Sequence, residues 1–288
     1  MPDDLSTEQP ESEEKSFLRV IVHSFFIIPF LIAVFGVLLF AGMRLLTQEK
    51  HSAYDYLNDI KVGGFSKRWQ GALELSKMLS NPALIPDEER FDNELIAAFQ
   101  AARHDDNRVR QYLALAMGRT QRPVYGDILV SGLAEEKEDN IPALVYAIGM
   151  IGIPDNAPAL HGFLEHGNAR VRSIAAVSLG HLQNSASIPF LKKGLQDPEP
   201  NVQWGSAVSL AKMGDLSGKP ILLKLLSRDY LDQFKEVDQL EQNDLIIAAI
   251  NAGGRPKDPE LKTRIQELAT QDKNMNVRAA ALKALNSQ

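Results

Sequence analysis

From about Ser52 onward, apolar residues recur three or four positions apart in short blocks closed by polar turns, a spacing that predicts amphipathic helices. One block is written several times. Val171-Arg172-Ser173-Ile174-Ala175-Ala176-Val177-Ser178-Leu179-Gly180 is matched by Val109–Gly118, Val202–Ala211 and Val277–Leu285, with weaker copies at Lys67–Met78, Asn140–Ile151 and Gln242–Gly253. The large apolar residue at the ninth position of each copy is Leu75, Met117, Ile148, Leu179, Leu210, Ile250 or Leu285, at steps of 42, 31, 31, 31, 40 and 35 residues. Three equal steps in succession mark a repeat array.

A second set of helices precedes these blocks, at Ala157–Glu165, Ala186–Gln196, Lys219–Ser227 and Pro259–Thr270. Pro158, Pro189, Pro220 and Pro259 stand near their starts, where a missing N–H costs nothing. Polar turns such as Asp197–Asn201 and Asp272–Asn276 separate the two sets, with Asn or Asp near the second-helix starts as caps. No stretch alternates in strand fashion. The pattern therefore predicts an all-α solenoid over residues 47–288, made of about seven helix pairs that bury their apolar faces only against neighbours. Small residues inside the second helices, such as Ala175 and Ala176 or Ser206 and Ala207, allow close approach. The two longest steps place insertions near Asn81–Asp92 and Tyr230–Asn243, expected as loops on one face of the array.

Phe25–Met43 breaks this pattern, being nineteen residues without a charge or a strongly polar side chain. At ~1.5 Å per residue it spans ~28 Å, against ~30 Å for a bilayer's hydrocarbon core. Thirteen of its residues are Leu, Ile, Phe or Val, which together favour insertion by about 4–8 kcal/mol and outweigh Pro29, Gly36 and Gly42. A soluble core helix would keep a polar face, and this one has none. The apolar run is also longer than a signal peptide's and is followed by no small-x-small cleavage site. The expectation is a transmembrane helix over residues 20–46 in contact with the lipid bilayer, behind an acidic disordered tail at 1–19. Lys15 and Arg19 balance Arg44 and Lys50 across the span. The reading leans to an inside N-terminus and a solenoid on the exported, periplasmic side.

Charge narrows the partners. The net charge is −6, but residues 1–16 carry six acids against Lys15 alone, so the rest is close to neutral. A near-neutral domain lacks the electrostatic footprint for nucleic acid, which is not expected as a partner. The absence of cysteine excludes disulfides, thiolate metal sites, a cysteine nucleophile and lipidation on cysteine, and leaves the compartment open. His161 and His166 are five apart, the wrong spacing for one helix face, and no HExxH occurs. Gly63-Gly64-Phe65-Ser66-Lys67 lacks the spacing of a phosphate loop, and no GxSxG is present. No catalytic constellation, metal site or cofactor is expected.

The run Val-Arg-x-x-Ala-Ala-x-x-Leu-Gly, at a period near thirty, resembles the short HEAT-like repeats first named from bilin lyases. The resemblance implies a superhelix with the second helices on its concave face, usually a protein-binding surface. It implies no activity by itself. Deoxyhypusine hydroxylase, also built of HEAT repeats, holds a di-iron centre with repeated His-Glu pairs; here the nearest match is the reversed Glu165-His166.

Some side chains stand out within the repeats. Arg68, Arg110, Arg172 and Arg278 share the second position, with Gln203 in the fifth copy, and form either a ladder onto turn acids and carbonyls such as Asp105 or Asp272, or a basic strip for an acidic ligand. Trp69 and Trp204 share the third position, with Tyr112 and Tyr146 near it in their own copies. Each is either a packing residue between repeats or an aromatic anchor for a partner. The acidic run Glu135–Asp139 reads as a solvated turn. The functional expectation is a non-enzymatic scaffold or accessory subunit, fixed at a bilayer and bound to an integral membrane complex such as a transporter. The alternative is a bilin-lyase-like or chaperone-type assembly factor acting on a protein client, which a membrane anchor suits poorly when the client is a soluble phycobiliprotein.

Overall fold

The computed structural model describes residues 23–47, 51–134, 136–254 and 258–286. The expected tail at 1–19 and the first three residues of the expected span lie outside them. The chain divides into two compact units, Met1–His51 and Ser52–Gln288.

In the first unit, a π-helical turn His23–Ile27 leads into α1 (Ile28–Thr47). Pro29 falls in its first turn, where no intrahelical N–H is lost. Its apolar side chains, from Phe30 to Phe40, are exposed around the whole circumference. The stretch Phe25–Met43 is long and apolar enough to cross a membrane.

The second unit is helix pairs throughout. They are α2 (Ala53–Val62) with α3 (Phe65–Met78), α4 (Glu89–Ala101) with α5 (Asn107–Thr120), and α6 (Gly126–Leu133) with α7 (Ile141–Ile151). Next come α8 (Pro158–His161, prolonged by the 3-10 turn Gly162–Glu165) with α9 (Ala169–Leu182), and α10 (Ile188–Gly194) with α11 (Pro200–Lys212). Then α12 (Lys219–Leu225) and the single turn α13 (Arg228–Leu231) precede α14 (Gln239–Gly253), and α15 (Pro259–Gln271) pairs with α16 (Met275–Asn286). That makes seven pairs among the described residues, with no strand among them.

From α5 to α14 each second helix buries its first, fifth and ninth positions, as Val109, Leu113 and Met117 or Val171, Ala175 and Leu179 do, these six fully enclosed. The first helices meet them with Leu160 and Leu191, then Leu222 and Leu225, and finally Leu261 and Ile265. A buried leucine or isoleucine is worth roughly 1.5–3 kcal/mol, so the continuous core is what holds one pair to the next. Asp106, Asn168 and Asn274 cap second helices by accepting N–H donors from Arg108, Arg170 and both Asn276 and Val277. Each cap stands three residues before the repeat's valine.

Successive second helices touch backbone to backbone. A Cβ added to Gly118 would stand 2.8 Å from Ala147 Cα, one on Gly149 2.8 Å from Ser178 Cα, and one on Gly180 2.9 Å from Ser209 Cα. Glycine at the tenth position of one repeat thus admits the eighth position of the next, three times in register.

The insertions depart from expectation. Residues 79–88 join α3 to α4, between two pairs, whereas residues 226–238 join α12 to α14, inside one pair. Because the short turns fold each pair antiparallel, these connections leave from opposite edges of the array, not from one face.

Candidate partner-binding face

Two sets of side chains run along the second helices. The first is a set of arginine rungs at their N-terminal ends. Arg172 grips Asp197 of the next repeat with two bonds of 2.8 and 2.9 Å and donates to the carbonyl of His166 in its own turn at 2.9 Å. Arg68 is tied in the same way to Asp105 ahead and to the Ile60 carbonyl behind, at 2.9 Å. Arg110 pairs with Glu136 at 2.8 Å, donates to the Phe99 carbonyl and lies 3.6 Å over the Phe99 ring. Gln203 and Arg278 keep the bond to their own turn, to the Asp197 and Asp272 carbonyls, both at 2.7 Å. The ladder reading is what the geometry displays. Glu136, from the supposedly solvated acidic run, is enclosed with 2% of its side chain exposed, because it is the acid of one rung.

The sixth repeat breaks the pattern and repairs it. Asn243 stands where the arginine belongs, and Arg228, from the insertion, supplies the guanidinium instead. It grips Asp272 of the seventh repeat with two bonds of 2.8 Å and binds Asn243 at 2.8 Å. The Arg172 guanidinium holds the Asp197 carboxyl below the usual carboxylate range. Burial alone would raise Asp272, but Arg228 overrides it and the net direction is also down. These arginines are committed to the fold.

The second set is a surface built by the fourth, seventh and eleventh positions, which fall on one side of each second helix. The fourth positions of the second to sixth repeats are Tyr112, Ala143, Ile174, Gly205 and Leu245. The seventh positions are Leu115, Tyr146, Val177, Val208 and Ala248. All of these but Gly205 are at least partly exposed. The eleventh positions carry Lys77, Arg119, His181 and Lys212, interrupted by Met150. Desolvation by its neighbours, and then the Lys212 ammonium of the next repeat, push the His181 imidazole below its ordinary value. Arg119 donates to the Ser76 carbonyl and hydroxyl at 2.6 and 2.7 Å. The face is therefore two apolar columns flanked by a basic one.

The four aromatic candidates separate on this frame. Tyr112 is half-buried in the fourth-position column, and Tyr146 stands in the seventh-position column at 41% exposure. Trp69 lies at the edge, half-buried, with the Arg108 guanidinium 4.4 Å over its ring and Asp106 holding that guanidinium at 2.6 Å. Trp204, at the equivalent position, is only 3% exposed. Its indole N–H donates to Tyr230 Oη at 3.1 Å, and Phe234 packs edge-on at 4.9 Å. The insertion of the sixth repeat folds over it, so Trp204 is a packing residue and not an exposed anchor. The apolar columns themselves were not singled out in the sequence, although the repeat register spells them out.

Two clefts lie between first helices and neighbouring turns. One, of about 420 Å³, is floored by Arg172 and Asp197 and walled by Phe190 and Lys193. The other, of about 290 Å³, is floored by Arg228 and Asp272. The floor of each is a rung that is already paired. Among the described residues, no group of three or more His, Asp or Glu stands close enough to hold a metal ion.

Comparison with known proteins fits this architecture. A family model described as HEAT repeats matches residues 129–199 and 156–239. No curated protein sequence matches the chain. Among solved structures, the complex of CpcE and CpcF of phycocyanin lyase from Nostoc sp. PCC7120 is similar over 84% of this chain and 96% of that one, at 17% identity and a TM-score of 0.58. An engineered protein aligns over 81% of this chain and 95% of its own, at 16% identity and a TM-score of 0.39. Human deoxyhypusine hydroxylase aligns over 82% and 85%, at 15% identity and a TM-score of 0.36. Residues 129–239 match the HEAT-repeat model, and the described residues from Ser52 onward form an α-solenoid of helix pairs similar in fold to that lyase complex.

Proposed function

We propose that this chain is a non-enzymatic scaffold, anchored in a bilayer by Phe25–Met43, that holds a protein partner on the exposed face of its second helices. The observation that carries this reading is the pair of apolar columns through Tyr112, Leu115, Tyr146, Ile174 and Val177, which stay open to solvent while the stripe through the first, fifth and ninth positions is packed. Contiguous apolar surface of this kind marks an interaction site rather than a neutral exterior. The arginines, by contrast, are used up in rungs, which leaves the face without a constellation for chemistry.

The anchor turns a soluble platform into one with a fixed address, so the partner is an integral membrane complex, such as a transporter, or a client delivered to one. We place the solenoid on the exported side. The likeness to CpcE and CpcF is one of fold, and lyase chemistry does not come with it. Purification of the full chain in mild detergent, beside a Tyr146→Arg variant, tests the reading. A membrane protein that co-elutes with the parent in fixed proportion and not with the variant is the expected result. Parent protein that elutes alone, or a partner retained equally by the variant, contradicts it.

A further inference from the structure

The chemistry of the face also specifies what lies on it, given the reading above that it binds protein. We infer that the partner segment is an α-helix laid across the second helices, carrying apolar side chains and carboxylates at seven-residue steps.

Three features lead there. The first is charge. The eleventh-position row contributes Arg119 and Lys212 with His181, together with Lys77, which is paired with Glu74 of its own helix at 2.8 Å, and no fourth, seventh or eleventh position of the first six repeats is Asp or Glu. The rest of the solenoid is close to neutral, so this row is a local bias of one sign beside an apolar floor. A segment with apolar residues over the columns and acids over the row complements both.

The second feature is the scarcity of groups for a backbone, which the columns offer only through the Tyr112 and Tyr146 hydroxyls. No fourth or seventh position of the second to sixth repeats is Asn, Gln, Ser or Thr. An extended chain crossing this floor would leave most of the N–H and C=O groups turned towards it without partners, whereas a helix satisfies its own. The third is spacing. Packed helices lie about 8–10 Å apart, and closer where glycine meets a small residue, as Gly149 meets Ser178. Seven residues of a helix advance about 10.5 Å. Because the tenth position of one repeat meets the eighth of the next, the columns run obliquely across the second helices, and a helix that follows them covers about one repeat per seven-residue step. Tyr146 and Val177 then meet successive apolar residues, and His181 and Lys212 meet successive acids.

The test uses the full chain in its native membranes, with Tyr146→p-benzoylphenylalanine as a photocrosslinker and sequencing of the crosslinked segment. A helical stretch with apolar residues and Asp or Glu seven apart is the expected product. Lys212→Glu should cut the yield at least tenfold without lowering the melting temperature of the parent by more than a few degrees. Lysine in place of the partner's facing carboxylate should restore it in the Lys212→Glu chain, and Lys262→Glu, off the face on α15, should leave it unchanged. A crosslinked segment without acids, or one indifferent to Lys212→Glu, overturns the inference and leaves the protein-binding reading standing. So does a crosslink to residues 1–16 of this chain or to a second copy of it. No crosslink from Tyr146 to any protein overturns both.

Discussion

Gly180 and Ser209 are pressed together so closely that a methyl group on the glycine would stand 2.6 Å from Ser209 Cβ and 2.9 Å from its Cα. The serine is held in place, because its hydroxyl donates to the Ala176 carbonyl at 2.8 Å. Neither helix can yield without moving a whole repeat. Gly180→Ala sets a helix-propensity gain of up to ~1 kcal/mol against an overpacking cost of about 1–3 kcal/mol. The clash with backbone should win, and the melting temperature should fall. Gly162→Ala, where an added Cβ meets nothing within 4 Å, is the control and should be neutral or slightly stabilising. Equal behaviour of the two would mean the second helices are not in backbone contact.

The rungs predict a different loss. Arg110 and Glu136 leave only 5% and 2% of their side chains exposed, so removing one strands the other's charge. Arg110→Ala should cost about 3–5 kcal/mol, read by chemical denaturation. Replacing both residues with Met should recover much of that loss. If Arg110→Ala melts like the parent, the rung carries no weight in the fold.

The array itself was readable because the register repeats: Val171, Ala175 and Leu179 announce a buried stripe wherever the pattern recurs. The arginine rungs were half readable. Arg172 shares its position with Arg110 and so declared itself, but Asp197 gave no sign of being its acid until the turns were folded. Arg228 was invisible, since an inserted residue has no repeat-equivalent and reaches Asp272 only in three dimensions. Trp69 and Trp204 show the limit most plainly. Their sequence positions are identical, yet Arg108 covers one loosely and the insertion seals the other. Periodicity reports which side of a helix a residue occupies, not what else folds against that side.

Acid should unzip part of the ladder. Asp197 has a carboxyl pKa held below the ordinary value by Arg172, so folding favours its charged form. Its contribution is present above the unfolded pKa, near ~4, and is lost as pH falls through the lower folded value. Asp272, lowered on balance by Arg228 against burial, adds in the same sense. Thermal melts between about pH 5 and pH 2 should show stability falling, with a shallower slope in Arg172→Gln. An unchanged slope would mean that Asp197 is not tuned by its rung.

The anchor reading makes its own demand. A spanning helix is held by apolar area, so the full chain should stay with membranes through high salt and carbonate. Leu31→Arg with Val34→Arg places two charges near the middle of the apolar stretch, at about 2.5–3.5 kcal/mol each, and should release the chain to the soluble fraction. Release of the parent by salt alone would contradict a span.

Trp204 and Tyr146 should trade places in a two-way assay. Trp204 is enclosed by Tyr230 and Phe234, so Trp204→Ala opens a cavity and leaves the Tyr230 hydroxyl without its donor. A loss of about 3–5 kcal/mol in stability is expected, with partner capture intact at temperatures where the variant remains folded. Tyr146, by contrast, has 41% of its surface open. Tyr146→Ala should leave melting nearly unchanged and cost about 2 kcal/mol or more in binding, as aromatic anchors near the centre of an interface do. The two variants test the face against the core with the same substitution chemistry. A Tyr146→Ala protein that melts early and still binds as the parent does would place that side chain in the packing and move the partner off the second helices.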